Sequence, residues 1–244
     1  MKRDRVMGVH AVEALLEAAP ARVVRVWIQP GSGRLKSLQG QIDEAGIAVE
    51  ECDGRVLDRL AEGVRHQGVV AEFRPREPLD DSGLDACLDQ VEVPLVLMLD
   101  GVTDPHNLGA CMRSAAAAGA HALVVPKDRA AGLTPVTRRA AAGASERLPL
   151  ARVTNLARCL RRLAERGLWR VGLVGRAETS IYQARLEGPL ALVLGSEDRG
   201  LRRLTREHCD ELVRIPMPGM MESLNVSVAA GVALFEAVRC RGAA

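Results

Sequence analysis

Apolar and polar positions change period repeatedly along the chain. GVHAVEALLEAA, from Gly8, places apolar residues every three or four positions, as a helix does, and RVVRVWI then reads as a strand. RLKSLQGQIDEAG is again helical, IAVEE a strand, GRVLDRLAE helical and GVVAEF a strand. The pattern predicts a compact α/β domain over residues 1–74. In RPREPLDDSGLDACLDQ both periods fade while Pro, Asp and Gly accumulate, so residues 75–92 read as a linker.

A second domain, residues 93–244, opens with PLVLMLD, a nearly continuous apolar run of the kind found in strands covered on both faces. A helix from about Asn107 to Ala118 follows, then the strand HALVVP, helical PVTRRAAAGA and NLARCLRRLAERG, the strands WRVGLVG and PLALVLG, and a closing helix. Strands alternating with helices predict a mostly parallel sheet with helices on both sides. Ligands of such sheets sit beyond the carboxyl ends of the strands, where loops meet helix N-termini.

Composition narrows the setting. No run of eighteen apolar residues and no hydrophobic core after MKRDRVMGVH indicates a membrane span or secretion signal, so the expectation is a cytoplasmic chain. The six cysteines are widely spaced, without a CxxC pair or a His at ligand spacing, which predicts reduced thiols, mostly buried, and no metal. The 33 basic and 31 acidic residues leave only +2, so total charge does not argue for nucleic acid. Distribution says more: Lys2, Lys36 and Lys127 are the only lysines, and arginines gather at Arg138 and Arg139, at Arg158, Arg161 and Arg162, and between Arg199 and Arg206. Arginine's planar fork suits phosphate, and the same groups also read as solvated helix faces.

Three loops carry candidate chemistry. DGVTDPHNLGACMRSA leaves the first strand of the second domain and holds Asn107 and Arg113, readable as a helix cap with a surface arginine or as part of a site. LVLGSEDRGL leaves another apolar strand, where Gly195 would let a flat ligand approach the backbone and Glu197 follows; a tight turn with an exposed glutamate is the equal alternative. IPMPGMMESLNVSVAAG places Ser223 and Asn225 around Leu224 at the start of a helix that is apolar around most of its girth, although one cap would suffice there.

Taken in order, DPHNLGACMRSA, LVLGSEDRG and IPMPGMMESLNVSVAAG resemble the three motifs of the SpoU family of RNA ribose 2'-O-methyltransferases, within the SPOUT superfamily. GVHAVEALL and RHQGVVAEF in the first domain resemble the RNA-binding extension of the members that methylate a guanosine of 23S rRNA, so the resemblance spans nearly the whole chain. It departs from the family pattern at Asp198, where glycine follows the glutamate, and in the bulkier stretch Met217 to Met221.

The resemblance implies a trefoil-knotted SPOUT methyltransferase domain that binds S-adenosylmethionine, a smaller N-terminal L30e-like α/β RNA-binding domain, and a homodimer. It implies transfer of methyl to a guanosine 2'-hydroxyl in the peptidyl-transferase P loop of 23S rRNA. A tRNA 2'-O-methyltransferase of the same family and a non-catalytic ribosome-assembly RNA-binding protein are the alternatives. It also implies a catalytic set of Arg113, Asn107, Glu197, Ser223 and Asn225, with Gly195, Ile215 and Leu224 lining the cofactor pocket. Arg113 would polarise the 2'-hydroxyl as a donor, since a guanidinium does not give up its proton. RNA contacts are expected from His66, Gln67, Arg138 and Arg139, although His66 and Gln67 serve equally well to finish a turn. Two Phe, one Tyr and two Trp are too few for rows of stacked aromatics, which leaves phosphate and RNA shape as the features to be read.

Overall fold

A computed structural model describes residues 3–31 and 33–242; Lys2, among the lysines, and the outer domain limits 1 and 244 fall outside this set. The chain divides into two compact units, Met1–Glu77 with Ala142–Arg147, and Pro78–Ala141 with Leu148–Ala244.

In the first unit the elements run β1 (Asp4–Met7), α1 (Val9–Ala18), β2 (Val23–Ile28), α2 (Arg34–Glu44), β3 (Val49–Glu51), α3 (Gly54–Ala61) and β4 (Val69–Phe73). The sheet order is β1-β4-β2-β3, with β4 antiparallel to both neighbours and β3 parallel to β2. Side chains alternate along β2 and β4. Val26, Ile28, Val69, Ala71 and Phe73 join Val12, Leu15, Leu38 and Ile42 of α1 and α2 in one cluster, and Trp27 and Val70 meet Leu57 and Ala61 of α3 in another. The result is a sheet covered on both faces.

The second unit contains α4 (Asp81–Leu88), β5 (Leu95–Asp100), α5 (Pro105–Ala117), β6 (Ala122–Pro126) and α6 (Pro135–Ala141). The chain contributes α7 (Ala144–Arg147) to the first unit before resuming with β7 (Leu150–Val153), α8 (Leu156–Glu165), β8 (Trp169–Leu173), β9 (Thr179–Ser180), β10 (Leu190–Gly195), α9 (Arg203–Glu207), β11 (Glu211–Arg214) and α10 (Val226–Gly242). All seven strands are parallel, in the order β7-β6-β5-β10-β8-β11-β9. Val96, Met98, Ala191 and Val193 pack with Leu84, Leu88, Leu156, Leu160 and Leu163 of α4 and α8 on one face. The intervening Leu95, Leu97, Leu99, Leu190, Leu192 and Leu194 are buried as well, so both faces of the central strands are covered.

The structure corrects several expectations. The stretch read as a linker contains α4, capped by Asp80, whose carboxylate accepts the Gly83 N–H at 2.8 Å. Its period was hidden because a helix this short shows only two inward positions, Leu84 and Leu88. Burying each is worth about 2 kcal/mol. Arg162 of α8 pairs with Asp81 and Asp85 of α4, and Arg166 just after α8 pairs with Asp89 just after α4, so part of the arginine run holds two helices together rather than meeting a ligand. Strands β1, β7, β9 and β11, each four residues or fewer, were not legible as strands. The helix expected from Asn107 starts at Pro105. The one expected through PVTRRAAAGA stops at Ala141, where Ala142 and Gly143 turn to positive φ of 48° and 88°.

Candidate active site

The sheet order reverses between β5 and β10, so the loops leaving these neighbouring strands open at one crevice, the position where parallel sheets hold ligands. The loop after β5 ends at Asp104, whose two carboxylate oxygens accept the N–H groups of His106 at 3.1 Å and Asn107 at 3.3 Å. With Pro105 at the first helical position, Asp104 is the cap and Asn107 is not. The Asn107 side chain is thereby available for other partners.

The loop after β10 is constrained by backbone crowding. A Cβ on Gly195 would lie 2.0 Å from the carbonyl carbon of Gly200, so no larger residue fits. Gly200 itself has φ 62° and its N–H returns to the Ser196 carbonyl at 2.8 Å. Asp100, buried at the end of β5, holds both ends of this loop. Its carbonyl accepts the Ser196 N–H at 3.1 Å, and its carboxylate accepts the Arg202 N–H at 3.0 Å and pairs with the Arg202 guanidinium. Asp198 is not among the residues with positive φ, so this turn accommodates it without glycine.

The third loop ends at Asn225, the residue before α10. Its side-chain oxygen accepts the Ser227 N–H at 2.9 Å and the Ser227 hydroxyl at 2.6 Å, which caps the helix. Its amide donates to Asn107 Oδ1 at 3.0 Å and to Glu197 Oε1 at 2.6 Å. The same Glu197 oxygen accepts Asn107 Nδ2 at 3.3 Å and the Val226 N–H at 3.1 Å. One carboxylate oxygen therefore ties the three loops together.

Beside this cluster lies a cavity of about 380 Å³ whose lining includes Leu173, Gly195, Glu197, Ile215, Ser223 and Leu224. Of the residues expected from the sequence, the structure thus gathers Gly195, Glu197, Ile215, Ser223 and Leu224 around one space, with Asn107 and Asn225 bonded to Glu197. Ser223 is exposed and leaves capping to Asn225. Arg113, less than two turns along α5 from Asn107, is exposed and makes no hydrogen bond or ion pair among the described residues. Met217 lines the cavity while Met220 and Met221 face solvent, so the bulky stretch leaves the space open.

Sequence reasoning missed Val174, Arg176, Arg206 and Glu222, which also line this cavity. The signal was present for two of them, since WRVGLVGR leaves an apolar strand at a glycine just as LVLGSE does. Cys111, one turn after Asn107 on α5, has its thiol pushed up to about 12 by burial, with the Glu197 charge adding to the effect, so it stays protonated.

Of the residues expected to meet RNA, His66 and Gln67 belong to the first unit and Arg138 and Arg139 to the second. His66 Nδ1 accepts the Gly68 N–H at 3.1 Å and Nε2 faces Asp58 at 3.1 Å, so the ring closes the turn before β4. Gln67 is exposed at φ 51°. On α6, Arg139 is exposed and Arg138 half-buried. No group of three or more His, Cys, Asp or Glu among the described residues is arranged to hold a metal ion, and no helix among them is long and apolar enough to cross a membrane.

Residues 94–235 match the SpoU rRNA methylase family, and residues 5–79 match the RNA 2'-O ribose methyltransferase substrate-binding family. The chain is 54% identical over 241 residues to the 23S rRNA (guanosine-2'-O-)-methyltransferase RlmB of Pseudomonas putida, covering 98% of this chain and 97% of that one. To the protein of the same name from Yersinia pestis it is 52% identical over 239 residues, covering 97% of each. The SpoU methyltransferase AviRb from Streptomyces viridochromogenes, solved in complex with AdoMet, superposes with a TM-score of 0.79 at 28% identity, covering 99% of this chain and 92% of that one. With more than half its length matched by the family and relatives above 50% identity along nearly all of it, the chain belongs to the SpoU rRNA methylase family.

Proposed function

We propose that the chain transfers a methyl group from S-adenosylmethionine to the ribose 2'-hydroxyl of a guanosine in 23S rRNA. The observation that carries this reading is Glu197 Oε1, which joins all three family motifs at the mouth of a cavity. The activity named for relatives at 52% and 54% identity supports the substrate. The match of residues 5–79 to the RNA 2'-O ribose methyltransferase substrate-binding family supports an RNA substrate.

The cavity suits the cofactor. Its volume lies in the range of small-molecule sites, apolar Leu173, Ile215 and Leu224 offer faces to a flat base, and Glu222 offers an acceptor for hydroxyl or ammonium groups. When bound, S-adenosylmethionine supplies an electrophilic methyl on a sulfonium whose leaving group departs neutral, so no protein acid is needed for departure. The chain's contribution is then alignment and help for a weakly acidic hydroxyl. Asn107, Glu197 and Asn225 fix the loops, and Ser223 at the cavity wall holds the ribose. Arg113 donates to the RNA phosphate and the 2'-oxygen as negative charge develops, with water or phosphate taking the proton.

The domain limits 1–74 and 93–244, the RNA contacts of His66, Gln67, Arg138 and Arg139, a cytoplasmic location and a trefoil knot belong to the same reading. A homodimer does too. Val228, Phe235 and Val238 lie seven and three residues apart on α10, with Val228 and Phe235 more than half exposed at 51% and 52%, an apolar stripe on a helix end to end with the site.

The test is transfer of labelled methyl to unmodified 23S rRNA and, separately, tRNA, mapping the product by resistance to alkaline cleavage. One 2'-O-methylguanosine in 23S rRNA is the expected outcome. Modification of tRNA alone reassigns the substrate, and no transfer by the folded protein favours an RNA-binding role without chemistry.

A further inference from the structure

A second concavity of about 730 Å³ opens at the carboxyl ends of β6 and β7, and no motif accounts for it. Three arginines line it, Arg129, Arg202 and Arg203, against one carboxylate, Asp128. Arg202 is held in place by Asp100 yet leaves 49% of its side chain exposed. Among the described residues Arg203 meets only Glu207, in an exposed pair four residues along α9 that contributes little and yields readily to a stronger partner. Arg129 is exposed and makes no ion pair or hydrogen bond among the described residues. The N-terminus of α8 completes the lining: Asn155 caps the Arg158 N–H at 3.0 Å, while the N–H groups of Leu156 and Ala157, beside the groove, have no acceptor within the helix.

Position gives the groove a purpose. The segment 199–206 is a shared wall: Arg199, Gly200, Leu201 and Arg206 line the cofactor cavity, whereas Arg202, Arg203, Leu204 and Thr205 line the groove. The two spaces thus share the residues of one segment as a wall.

We propose that this groove seats the phosphate backbone of the RNA strand next to the methylated nucleotide, through Arg129, Arg202, Arg203 and the α8 N-terminus. The inference deepens the function above and rests on its RNA reading. Charge complementarity is the argument, since guanidiniums gathered in one groove and N–H groups at a helix start bind phosphate oxygens and carry little base information.

The test uses the full chain with Arg129→Asn, which tolerates the left-handed backbone at φ 56°, combined with Arg203→Gln. Affinity for an unmodified 23S rRNA transcript is measured across salt concentrations, with S-adenosylmethionine affinity measured in parallel. The expected result is RNA binding weakened on the order of tenfold near 0.1 M salt, with the log–log salt slope shallower by about 1.4 for two lost phosphate contacts. S-adenosylmethionine affinity stays unchanged, and the paired lysine substitutions keep the slope because they keep the charge. A parent chain that methylates the transcript while the Asn and Gln variant binds with unaltered affinity and slope overturns the groove alone. A parent chain that binds RNA through these arginines without methyl transfer keeps the groove and overturns the proposed reaction.

Discussion

Glu197 and Asn225, 28 residues apart in sequence, meet through a 2.6 Å hydrogen bond from the Asn225 amide to the Glu197 carboxylate. Because the same oxygen takes Asn107 Nδ2 and the Val226 N–H, this contact sets the register between two loops and the start of α10. Glu197→Ala leaves those donors without their acceptor. The expected cost is about 1–3 kcal/mol in stability, and methyl transfer should fall about a hundredfold, in the range seen when a positioned polar group is lost. Turnover close to the parent's, in a folded variant, rejects the role of this cluster.

Arg113 is exposed, so its replacement should leave thermal unfolding nearly unchanged while reducing kcat. Arg113→Lys keeps the charge and loses the forked donor, and a fall of about a hundredfold is expected if two hydrogen bonds act together. Near-normal turnover of the lysine variant rules the forked geometry out.

Phe235 lies on the exposed stripe of α10. Phe235→Arg should shift the chain from dimer to monomer in light scattering, with secondary structure intact. A parent chain that is itself monomeric at assay concentration removes the basis for this reading.

His121 accepts the Leu95 N–H at 3.0 Å through Nδ1, and burial lowers its pKa, with the nearby Arg241 charge acting in the same direction. A depressed histidine pKa means the folded state resists protonation. Its contribution is intact above the unfolded value of about 6.5 and is lost as pH falls from there toward the lower folded value. Urea unfolding of the parent should weaken across that window more than that of His121→Gln. Equal pH dependence in the two proteins contradicts the assignment.

Cys111, Cys159 and Cys209 have thiols pushed up to about 12, in each case chiefly by burial. At pH 8 almost none of each is thiolate, so alkylation of the native chain should spare all three, and urea should expose them. Rapid native labelling of Cys111 shows that the packing of α5 opens more often than the structure implies.

Strand and helix alternation was readable because β5 and β10 are long, apolar and covered on both faces, and because α1, α2 and α8 show a helical period. Elements of a few residues left no period to detect: β1, β7, β9 and β11 form because neighbouring strands supply hydrogen bonds. Helix α4 forms because Asp80 caps it and two leucines find a core. Proline, aspartate and glycine around it signalled a linker, and tertiary burial outweighed that local signal.

Within the site, chain order alone identified Asn107, Glu197 and Asn225 as members of three motifs, and it read Gly195 as a place for a ligand to approach the backbone, whereas the atoms crowding it are those of Gly200. It did not identify Asp104 as the cap of α5, nor Asp100 as the residue that holds both ends of the loop after β10. It read His66 as an RNA contact or a turn residue with equal weight, and the ring accepts the Gly68 N–H and faces Asp58 in the turn before β4. The amino-acid sequence by itself determined the fold class, the family and the residue types of the site, because periodicity and ordered motifs are local properties. Only the tertiary structure decided which partner each polar group takes, because hydrogen bonds act within about 3 Å and depend on distances between loops far apart in sequence.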